Sequence, residues 1–355
     1  MPGMTDPGTV SSPHLRWALI GASDIAATKV VPALRVLGDS IVAVQSGSTA
    51  HGAAFAARYG DLGAIAVTDI ADVLARDDVD AVYVSSTNDK HAAQVITAAQ
   101  AGKHILAEKP LALTVDDAGA MVDAAAAAGV VMATNHHLPA SPVHRAAAEL
   151  VRSGRLGRVL AVRFHHAGEL PERLRGWRLA DPAAGGVALD IQVHDAAAVG
   201  ALLGGYGVSV QAIAAAQGVG GAQGVEGVED SLMTLIAWST GALVETHDAY
   251  NNPHLPTGFQ LLGTDAAIEA TACNAGDPGG HAWLVEHHKR TDINIPDRED
   301  LYVFALREFH SAVAGQGAPM VDGAAGVRSL AVALAAKESV TTGHRIEVRI
   351  PERFL

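Results

Sequence analysis

Short apolar runs alternate with longer amphipathic segments up to residue 135. Runs rich in Val, Ile, Leu and Ala predict buried strands at 16–20, 41–44, 79–84, 105–107 and 130–133. Segments with apolar residues at helical spacing predict helices at 50–59, 92–101 and 115–128. Strands that are apolar on both faces and alternate with helices form parallel sheets with right-handed crossovers. The pattern therefore predicts a doubly wound α/β fold for this part of the chain.

The pattern changes after residue 135. A helix is predicted at 142–153, and a glycine turn then leads into a strand that begins near Val159. Further strands are predicted at 208–214, 230–238, 242–249, 259–263 and 267–270. Leu232, Thr234 and Ile236 fall on one face of such a strand, which is typical of an antiparallel sheet covered on one face by a helix or a partner. The second part is predicted to be an α+β domain with a large, mostly antiparallel open sheet.

Composition narrows the classes of function. The 355 residues carry a formal net charge of −13, with 49% hydrophobic and 18% charged residues. These values favour a well-packed soluble protein and disfavour nucleic acid as a partner, because phosphates require clustered Lys and Arg. A single cysteine, Cys273, excludes an intrachain disulfide and suits a reducing compartment. A small-molecule partner is the expectation.

No apolar run reaches the roughly 18 residues of a membrane span, so no membrane partner is expected. Residues 1–13 are rich in Pro, Gly, Ser and Thr and have no apolar core. They are predicted to be a disordered tail and not a signal peptide. Residence in the cytoplasm follows as an expectation.

A glycine turn follows the first predicted strand directly. It occupies the position of the dinucleotide fingerprint G-x-G-x-x-G/A and reads Gly21-Ala22-Ser23-Asp24-Ile25-Ala26. Ser23 replaces the second glycine, but it is small and offers a hydroxyl to phosphate oxygens, and a helix amino terminus attracts the same anion. An ordinary strand-to-helix turn explains the segment equally well. On the dinucleotide interpretation, residues 14–135 form a Rossmann domain that binds NAD(P), and residues 136–355 form the substrate-binding and catalytic domain.

The end of the second predicted strand bears on the choice of cofactor. An NAD-specific site usually has Asp or Glu about 20 residues beyond the glycine turn. Here the loop instead contains Ser46, Gly47, Ser48 and His51. Small and hydroxyl-bearing residues leave room for a 2′-phosphate, which favours NADP(H) over NAD(H), although NAD(H) stays possible. A simple turn into the next helix explains the loop equally well.

Two more strand ends carry polar side chains. The loop after residue 84 opens the next helix and contributes the predicted cofactor ligands Ser86, Thr87, Asn88 and His91. The strand at 105–107 ends in Glu108-Lys109-Pro110. Ligands bind at the carboxyl edge of an open α/β sheet, and proline fixes the direction in which Lys109 leaves it. Lys109 is therefore a candidate proton donor, and a solvated lysine at a strand end is the alternative.

A second chemical segment contains Asp190 and His194. Four residues separate the two, so on a helix they share one face about 5 to 6 Å apart at Cβ. Their neighbours are apolar, and buried polar groups must be paired or face a site. Either the two side chains hydrogen-bond to each other in a structural role, or they face a functional site. No metal is expected, because no Cys or further carboxylate falls at ligand spacing.

Taken together, these segments resemble the Gfo/Idh/MocA family of nicotinamide-dependent sugar and cyclitol oxidoreductases. The resemblance rests on the glycine turn, the Glu108-Lys109-Pro110 triplet and the later Gly-Gly-x-x-x-Asp-x-x-x-His segment, in this order and at these separations. It extends over nearly the whole chain. It implies that Lys109, Asp190 and His194 act on the substrate hydroxyl or carbonyl, and that Glu108 and Lys109 border the cofactor.

Within the family, the chain is most similar to NADPH-dependent reductases of cyclic keto-sugars. Segments around residues 135–138, 176–179, 227–230, 247–249 and 309–312 carry this closer resemblance. It implies a sugar site walled by His137, Trp177 and Arg178. Two departures stand out: His51 and Pro139 occupy positions where the subgroup has arginine.

The expected reaction is hydride transfer to the C2 ketone of a cyclic sugar. Lys109 would protonate the developing alkoxide, with His194 as a second donor or relay and Asp190 orienting His194. A dehydrogenase of another sugar or cyclitol is the alternative within the family. An NAD-using glycosidase or a cofactor-binding sensor is the alternative of another class. A homo-oligomer is possible.

Overall fold

The computed structural model describes residues 14–219 and 228–355. The predicted tail at 1–13 lies outside these residues. The first sheet has six parallel strands: β1 (Arg16–Ile20), β2 (Ser40–Gln45), β3 (Ile65–Val67), β4 (Ala81–Val84), β5 (His104–Ala107) and β6 (Met132–Thr134). Their order is β3-β2-β1-β4-β5-β6, so the chain winds outwards from β1 in both directions. This arrangement confirms the predicted Rossmann sheet, and β3 is a strand that the sequence pattern did not indicate.

Helices cover both faces of this sheet. They are α1 (Val31–Leu37), which continues a π-helical turn (Ala26–Val30), then α2 (Thr49–Tyr59), α3 (Ile70–Leu74), α4 (His91–Gln100) and α5 (Val115–Ala128). Local capping explains several starts: the Ser48 hydroxyl accepts from the backbone N–H of His51, and Thr114 accepts from that of Asp117. The predicted helices are confirmed, whereas the short α3 was not anticipated.

The second sheet has nine strands in the order β14-β13-β12-β11-β7-β10-β9-β8-β15. They are β7 (Val159–Ala167), β8 (Gly207–Ala215), β9 (Ser231–Trp238), β10 (Leu243–Ala249), β11 (Gly258–Gly263), β12 (Ala267–Thr271), β13 (His281–Glu286), β14 (Lys289–Asp292) and β15 (Ile346–Glu347). All pairs are antiparallel except β7 with β10. The predicted open, mostly antiparallel sheet is confirmed. Strands β13 to β15 were not predicted.

The remaining helices are α6 (Pro142–Arg152), α7 (Arg175–Ala180), α8 (Val193–Leu203), α9 (Leu301–Val313) and α10 (Gly323–Thr342). Helices α8 and α10 cover one face of the second sheet, and its other face exposes Ile213, Met233 and Leu235. Helix α9 instead packs on the first sheet, where Phe309 lies 5.4 Å from Trp17 between ring centroids. The C-terminal helices thus contact both sheets, and the domain division at residue 135 stays a prediction.

Within residues 14–219 and 228–355, no helix combines the length and the apolar character that crossing a membrane requires. Cys273 is buried, and its burial raises the pKa of the thiol. A thiol that stays protonated is a poor nucleophile.

One buried histidine lies far from any polar partner. His144 on α6 packs between Phe164 and Phe259, with ring centroids 6.0 and 4.8 Å away. Neither ring nitrogen has a hydrogen-bond partner among the described residues. Burial lowers the pKa of His144 to about 3, so the folded protein keeps this ring neutral. The unfolded chain takes up a proton near pH 6.5, which makes the folded state less stable as the pH falls.

We predict that His144→Leu removes this pH dependence, because leucine has a similar volume and no proton to bind. Relative to the natural protein, the variant gains up to about 1.4 kcal/mol of unfolding free energy per pH unit below about pH 6. Urea unfolding at several pH values between about 4.5 and 7.5 measures the difference. His254→Leu, at an exposed position, is the control and should show no such gain. A constant difference between His144→Leu and the natural protein at all pH values would contradict the assignment.

Candidate active site

A cleft of 580 Å³ opens where the carboxyl ends of β1, β4 and β5 face α7 and the π-helical turn Ala188–Gln192. His166 on β7 also lines the cleft, so both sheets contribute residues to its wall. Its lining includes most of the predicted site residues: Ser23, Asp24, Ile25, Ser86, Asn88, His91, Glu108, Lys109, His137, Trp177, Arg178, Asp190 and His194. This is the edge at which open α/β sheets bind ligands.

The ammonium group of Lys109 contacts Asp190. Its Nζ donates to the backbone oxygen and to Oδ1 of Asp190, both at 2.7 Å. The two side chains are only 13% and 11% exposed. An ammonium group has three protons, so two are used and one remains for an oxygen in the cleft. Lys109 is thus held in one position at the cleft, which disfavours the alternative of a solvated strand-end lysine.

Asp190 accepts hydrogen bonds from three side chains. Besides Lys109, Arg178 Nε lies 2.9 Å and the Tyr250 hydroxyl 2.8 Å from Oδ2. Burial alone raises the pKa of Asp190, but the charges of Lys109 and Arg178 outweigh it and hold that pKa well below its usual value. Burial and the Asp190 charge raise the pKa of Tyr250, so its hydroxyl stays a donor.

His194 contacts a different partner from the one expected. Its Nδ1 lies 3.0 Å from Nδ1 of His136, whose Nε2 lies 3.2 Å from the Ser329 hydroxyl. No hydrogen bond joins Asp190 to His194 in the described chain. The expectation that Asp190 orients His194 is wrong, because the π-helical turn directs the carboxylate towards Lys109 and Arg178. The structural alternative, a bond between the two residues, is wrong for the same reason.

Hydrogen bonding assigns the His194 tautomer. The Ser329 hydroxyl donates to Gly326 O at 3.0 Å, so it accepts from Nε2 of His136. His136 Nδ1 then has no proton and accepts from Nδ1 of His194. Burial, reinforced by Lys109, lowers the pKa of His136 to about 3 and holds the pKa of His194 well below its usual value. We infer that His194 is neutral and presents a bare Nε2, which is an acceptor and not a donor.

The glycine turn passes directly against the backbone of the loop after β4. Gly21 has φ of +104°, and a Cβ there would lie 2.8 Å from the backbone of Ser85 and Ser86. Only glycine fits this close approach. The Ser23 hydroxyl donates to Ser85 Oγ at 2.8 Å and accepts from the backbone N–H of Ala26 at 3.1 Å. Ala22 continues the loop without lining the cleft.

The loop after β2 lies at the same sheet edge, one strand away. Gly21 N–H donates to Gln45 O at 2.9 Å, which brings this loop next to the glycine turn. The Ser46 hydroxyl accepts from Ser48 N–H, and Ser48 caps α2. Both hydroxyl protons remain available to a ligand. Ser46, Gly47, Ser48 and His51 do not line the 580 Å³ cleft itself.

The loop after β4 offers an unpaired donor. Nδ2 of Asn88 is buried and has no hydrogen-bond partner among the described residues, although Asn88 lines the cleft. His91 is fixed through both ring nitrogens, to Pro110 O and Ser86 O. Thr87 precedes Asn88 and is exposed. Since a buried donor needs an acceptor, the loop fits a ligand with amide or phosphate oxygens, as a nicotinamide dinucleotide has.

Glu108 lines the inner end of the cleft. Its Oε1 accepts from the Tyr83 hydroxyl and from Asn135 Nδ2, both at 2.6 Å. Burial, with the Glu108 charge next, raises the pKa of Tyr83, so the tyrosine stays a donor. These contacts fix the carboxylate beside Lys109.

The predicted sugar-wall residues all line the cleft. His137 packs edge-on against His194 and stacks on Tyr302 at 5.5 Å. Trp177 is 42% exposed, and Arg178 stacks on its ring at 4.5 Å. Pro139 is buried and does not line the cleft.

Several residues at the cleft escaped the sequence analysis. They are Ser85, Asn135, His166, Tyr250 and Tyr302. His166 lies on the covered face of β7, and only the alternation of that strand could have signalled it. One ring nitrogen of His166 and one oxygen each of Asp195 and Asp248 lie within 4.8 Å of one another. This group was also not anticipated, since its members come from β7, α8 and β10.

Comparisons with known proteins agree with the two sheets. The family model "Oxidoreductase family, NAD-binding Rossmann fold" matches residues 15–136, and "GFO/IDH/MocA C-terminal domain" matches residues 144–269. The chain is 42% identical to 1,5-anhydro-D-fructose reductase of Ensifer adhaerens over 94% of this chain and 98% of that protein. It is 27% identical to D-xylose 1-dehydrogenase (NADP(+)) 2 of Haloferax volcanii over 94% of this chain and all of that protein.

A solved structure supports the fold. The crystal structure of aldose-aldose oxidoreductase from Caulobacter crescentus, complexed with glycerol, superposes with a TM-score of 0.83. That comparison covers 94% of this chain and 100% of the other at 23% identity.

We predict that Asp190→Asn lowers the free energy of unfolding by about 3 kcal/mol, because it leaves Lys109 and Arg178 without their counter-ion in a mostly buried position. Tyr250→Phe removes one neutral donor to the same oxygen and should cost about 1 kcal/mol. Denaturant unfolding at neutral pH compares the two variants. Equal losses would show that the charge of Asp190 adds nothing to its hydrogen bonds.

Proposed function

Because this chain belongs to the Gfo/Idh/MocA family of oxidoreductases, we propose that it reduces the C2 ketone of 1,5-anhydro-D-fructose with NADPH. The product is 1,5-anhydro-D-mannitol or its C2 epimer. The observation that carries the proposal is the Lys109 ammonium at the cleft, held by two hydrogen bonds to Asp190 that leave its third proton free. The relative that is 42% identical over nearly the whole chain supports this substrate.

Each residue has a defined task in the reaction. The reduced nicotinamide, when bound, supplies the hydride that C2 receives. Lys109 donates a hydrogen bond to the ketone oxygen and transfers its proton as the C–O double bond becomes an alkoxide. The neutral amine then recovers a proton from solvent. Asp190 keeps Nζ in place through both steps, and Arg178 and Tyr250 keep Asp190 in place.

His194 has a task other than proton donation. Its bare Nε2 accepts a hydrogen bond from a sugar hydroxyl and so orients the ring of the substrate. This revises the expectation that His194 is a second donor. A neutral acceptor contributes to binding and alignment, whereas the proton comes from Lys109 alone.

The residues that would hold the dinucleotide fit NADPH. The Gly21–Ile25 turn and the start of its helix suit the pyrophosphate, and Asn88 offers its unpaired amide. Ser46 and Ser48 have free hydroxyl protons for a 2′-phosphate, and no carboxylate occupies their loop. The D-xylose dehydrogenase relative carries NADP(+) in its name, which supports the same preference.

Pro139 stands where the subgroup has arginine. It is buried in a one-turn helix and does not line the cleft, so the proposed sugar site does not depend on it. Arg178 and Trp177 remain at the wall. Residence in the cytoplasm, a homo-oligomer, and the absence of nucleic-acid and membrane partners stay predictions.

A substrate panel tests the proposed function. NADPH oxidation followed by absorbance should be faster with 1,5-anhydro-D-fructose than the reverse reaction with any aldose or inositol. Turnover with another sugar or cyclitol alone would contradict the substrate and favour a dehydrogenase. Hydrolysis of a glycoside, or cofactor binding with no turnover, would favour the glycosidase or the sensor.

We predict that Lys109→Ala lowers kcat at least about 100-fold, because it removes the proton donor. His194→Ala should raise KM more than it lowers kcat. Lys29→Ala is the matched control: this lysine lines the same cleft but donates to Gly276 O, and it should lose less than about 10-fold. Steady-state kinetics on folded variants give these values. Equal losses for Lys109→Ala and Lys29→Ala would remove Lys109 from the chemistry.

We predict that NADPH binds more tightly than NADH by about 1 to 3 kcal/mol, from one or two contacts to the 2′-phosphate. Ser48→Asp should abolish this preference, because the new carboxylate repels the phosphate while still capping α2. Ser48→Asn keeps the shape without the charge and serves as the control. Fluorescence titration measures the affinities of each protein for NADPH and for NADH. Tighter binding of NADH to the unchanged protein would refute the preference.

A further inference from the structure

Two buried carboxyl groups behind the cleft have no Lys or Arg in contact among the residues that the structure describes. Asp195 is on α8 and Asp248 on β10, and both are fully buried. Asp248 lies opposite His166 in the parallel pairing of β7 with β10. His166 Nδ1 is 2.7 Å from Asp195 Oδ1, and His166 itself lines the cleft. These three residues therefore extend from the interior of the second domain to the lining of the cleft.

Hydrogen bonding leaves one oxygen of each carboxyl group unpaired. Asp248 Oδ2 accepts from the Thr246 hydroxyl at 3.0 Å, and Asp195 Oδ1 contacts His166. Asp195 Oδ2 and Asp248 Oδ1 have no partner among the described residues. One oxygen of Asp195 and one oxygen of Asp248 lie within 4.8 Å of each other. A proton on one carboxyl group that is donated to the other would therefore supply a missing partner, as buried polar atoms require.

We propose that Asp195 and Asp248 share one carboxyl proton, and that Asp195 holds His166 as its Nδ1–H tautomer. His166 then presents a bare Nε2 to the cleft as an acceptor for a substrate hydroxyl. Asp195 and Asp248 are positioning residues, because they act through His166. This inference rests on the proposed function only where it concerns the sugar.

Burial favours the protonated form of both carboxyl groups and the neutral form of the His166 ring. Burial raises the pKa of Asp195 to about 8 and holds that of Asp248 well above its usual value, while burial lowers the pKa of His166 to about 4. The other charged or titratable groups that interact with His166 are Lys109, Asp190, His137, His144, His165 and His194. A neutral imidazole beside a protonated acid is thus the state at neutral pH.

The substitutions Asp195→Asn and Asp248→Asn test whether the carboxyl group that contacts His166 is protonated or ionised. An amide at 195 reproduces the protonated acid: its NH₂ donates to Asp248 and its oxygen accepts from His166. We expect Asp195→Asn to keep the His166 tautomer, with KM within about 3-fold of the natural protein. An amide at 248 supplies the donor instead, so Asp195 ionises and His166 becomes protonated up to at least about pH 6.5. KM should then rise about 10-fold.

The tautomer is measured directly by NMR on protein labelled with ¹⁵N-histidine, with His166→Gln identifying the signal. This measurement needs no substrate, so it fails or succeeds independently of the proposed function. Asp195→Ala shows the effect of losing the carboxyl group that contacts His166. A His166 signal that changes equally in Asp195→Asn and Asp195→Ala would overturn the proposal. Metal analysis of the purified protein is the second arm: one bound divalent ion per chain, lost in Asp195→Asn, would also overturn it.

Discussion

The site depends on the pairing of the Lys109 ammonium with the Asp190 carboxylate. The lysine comes from the first sheet and the aspartate from the segment that leads into α8, so neither part of the chain builds the centre alone. A lysine side chain has four rotatable bonds, and the two hydrogen bonds to Asp190 remove most of that freedom. What remains is one proton in a defined place. Preorganisation of this kind is where an enzyme of this chemistry gains its rate.

Asp190 and Asp195 lie close together in the sequence but favour opposite protonation states. Two cations keep Asp190 ionised. Asp195, about one helical turn later, contacts no Lys or Arg in the described parts of the chain, and burial raises its pKa. Burial keeps the histidines around them neutral, so each ring has one nitrogen that can accept a hydrogen bond. The cleft therefore combines the charged Lys109 donor with neutral rings that can accept hydrogen bonds. A cyclic sugar, which has one carbonyl to protonate and several hydroxyls to orient, fits this distribution.

The first sheet was predictable because each of its parallel strands is a short continuous apolar run. The helices between them have apolar residues at helical spacing, so the two kinds of segment can be told apart. Lys109 was predictable at the cleft because a strand end, a proline and a sheet edge fix its place locally. The partner of Asp190 was not predictable from the sequence. The i to i+4 spacing suggested His194, but the π-helical turn directs the carboxylate to Lys109 and Arg178 instead. Helices α9 and α10 carry no unusual spacing, and their packing on the first sheet depends on contacts such as Trp17 with Phe309. The group of His166, Asp195 and Asp248 unites three distant segments, which no local pattern encodes.

The fate of the hydride tests the central claim most directly. The protein is incubated with 1,5-anhydro-D-fructose and NADPH that carries deuterium in the transferred position at C4 of the nicotinamide. NMR and mass spectrometry then locate the label in the product. Our account predicts one deuterium at C2, on one face only, and a far slower transfer to the same carbon in Lys109→Ala. Label at another carbon, or an unlabelled product, would contradict it.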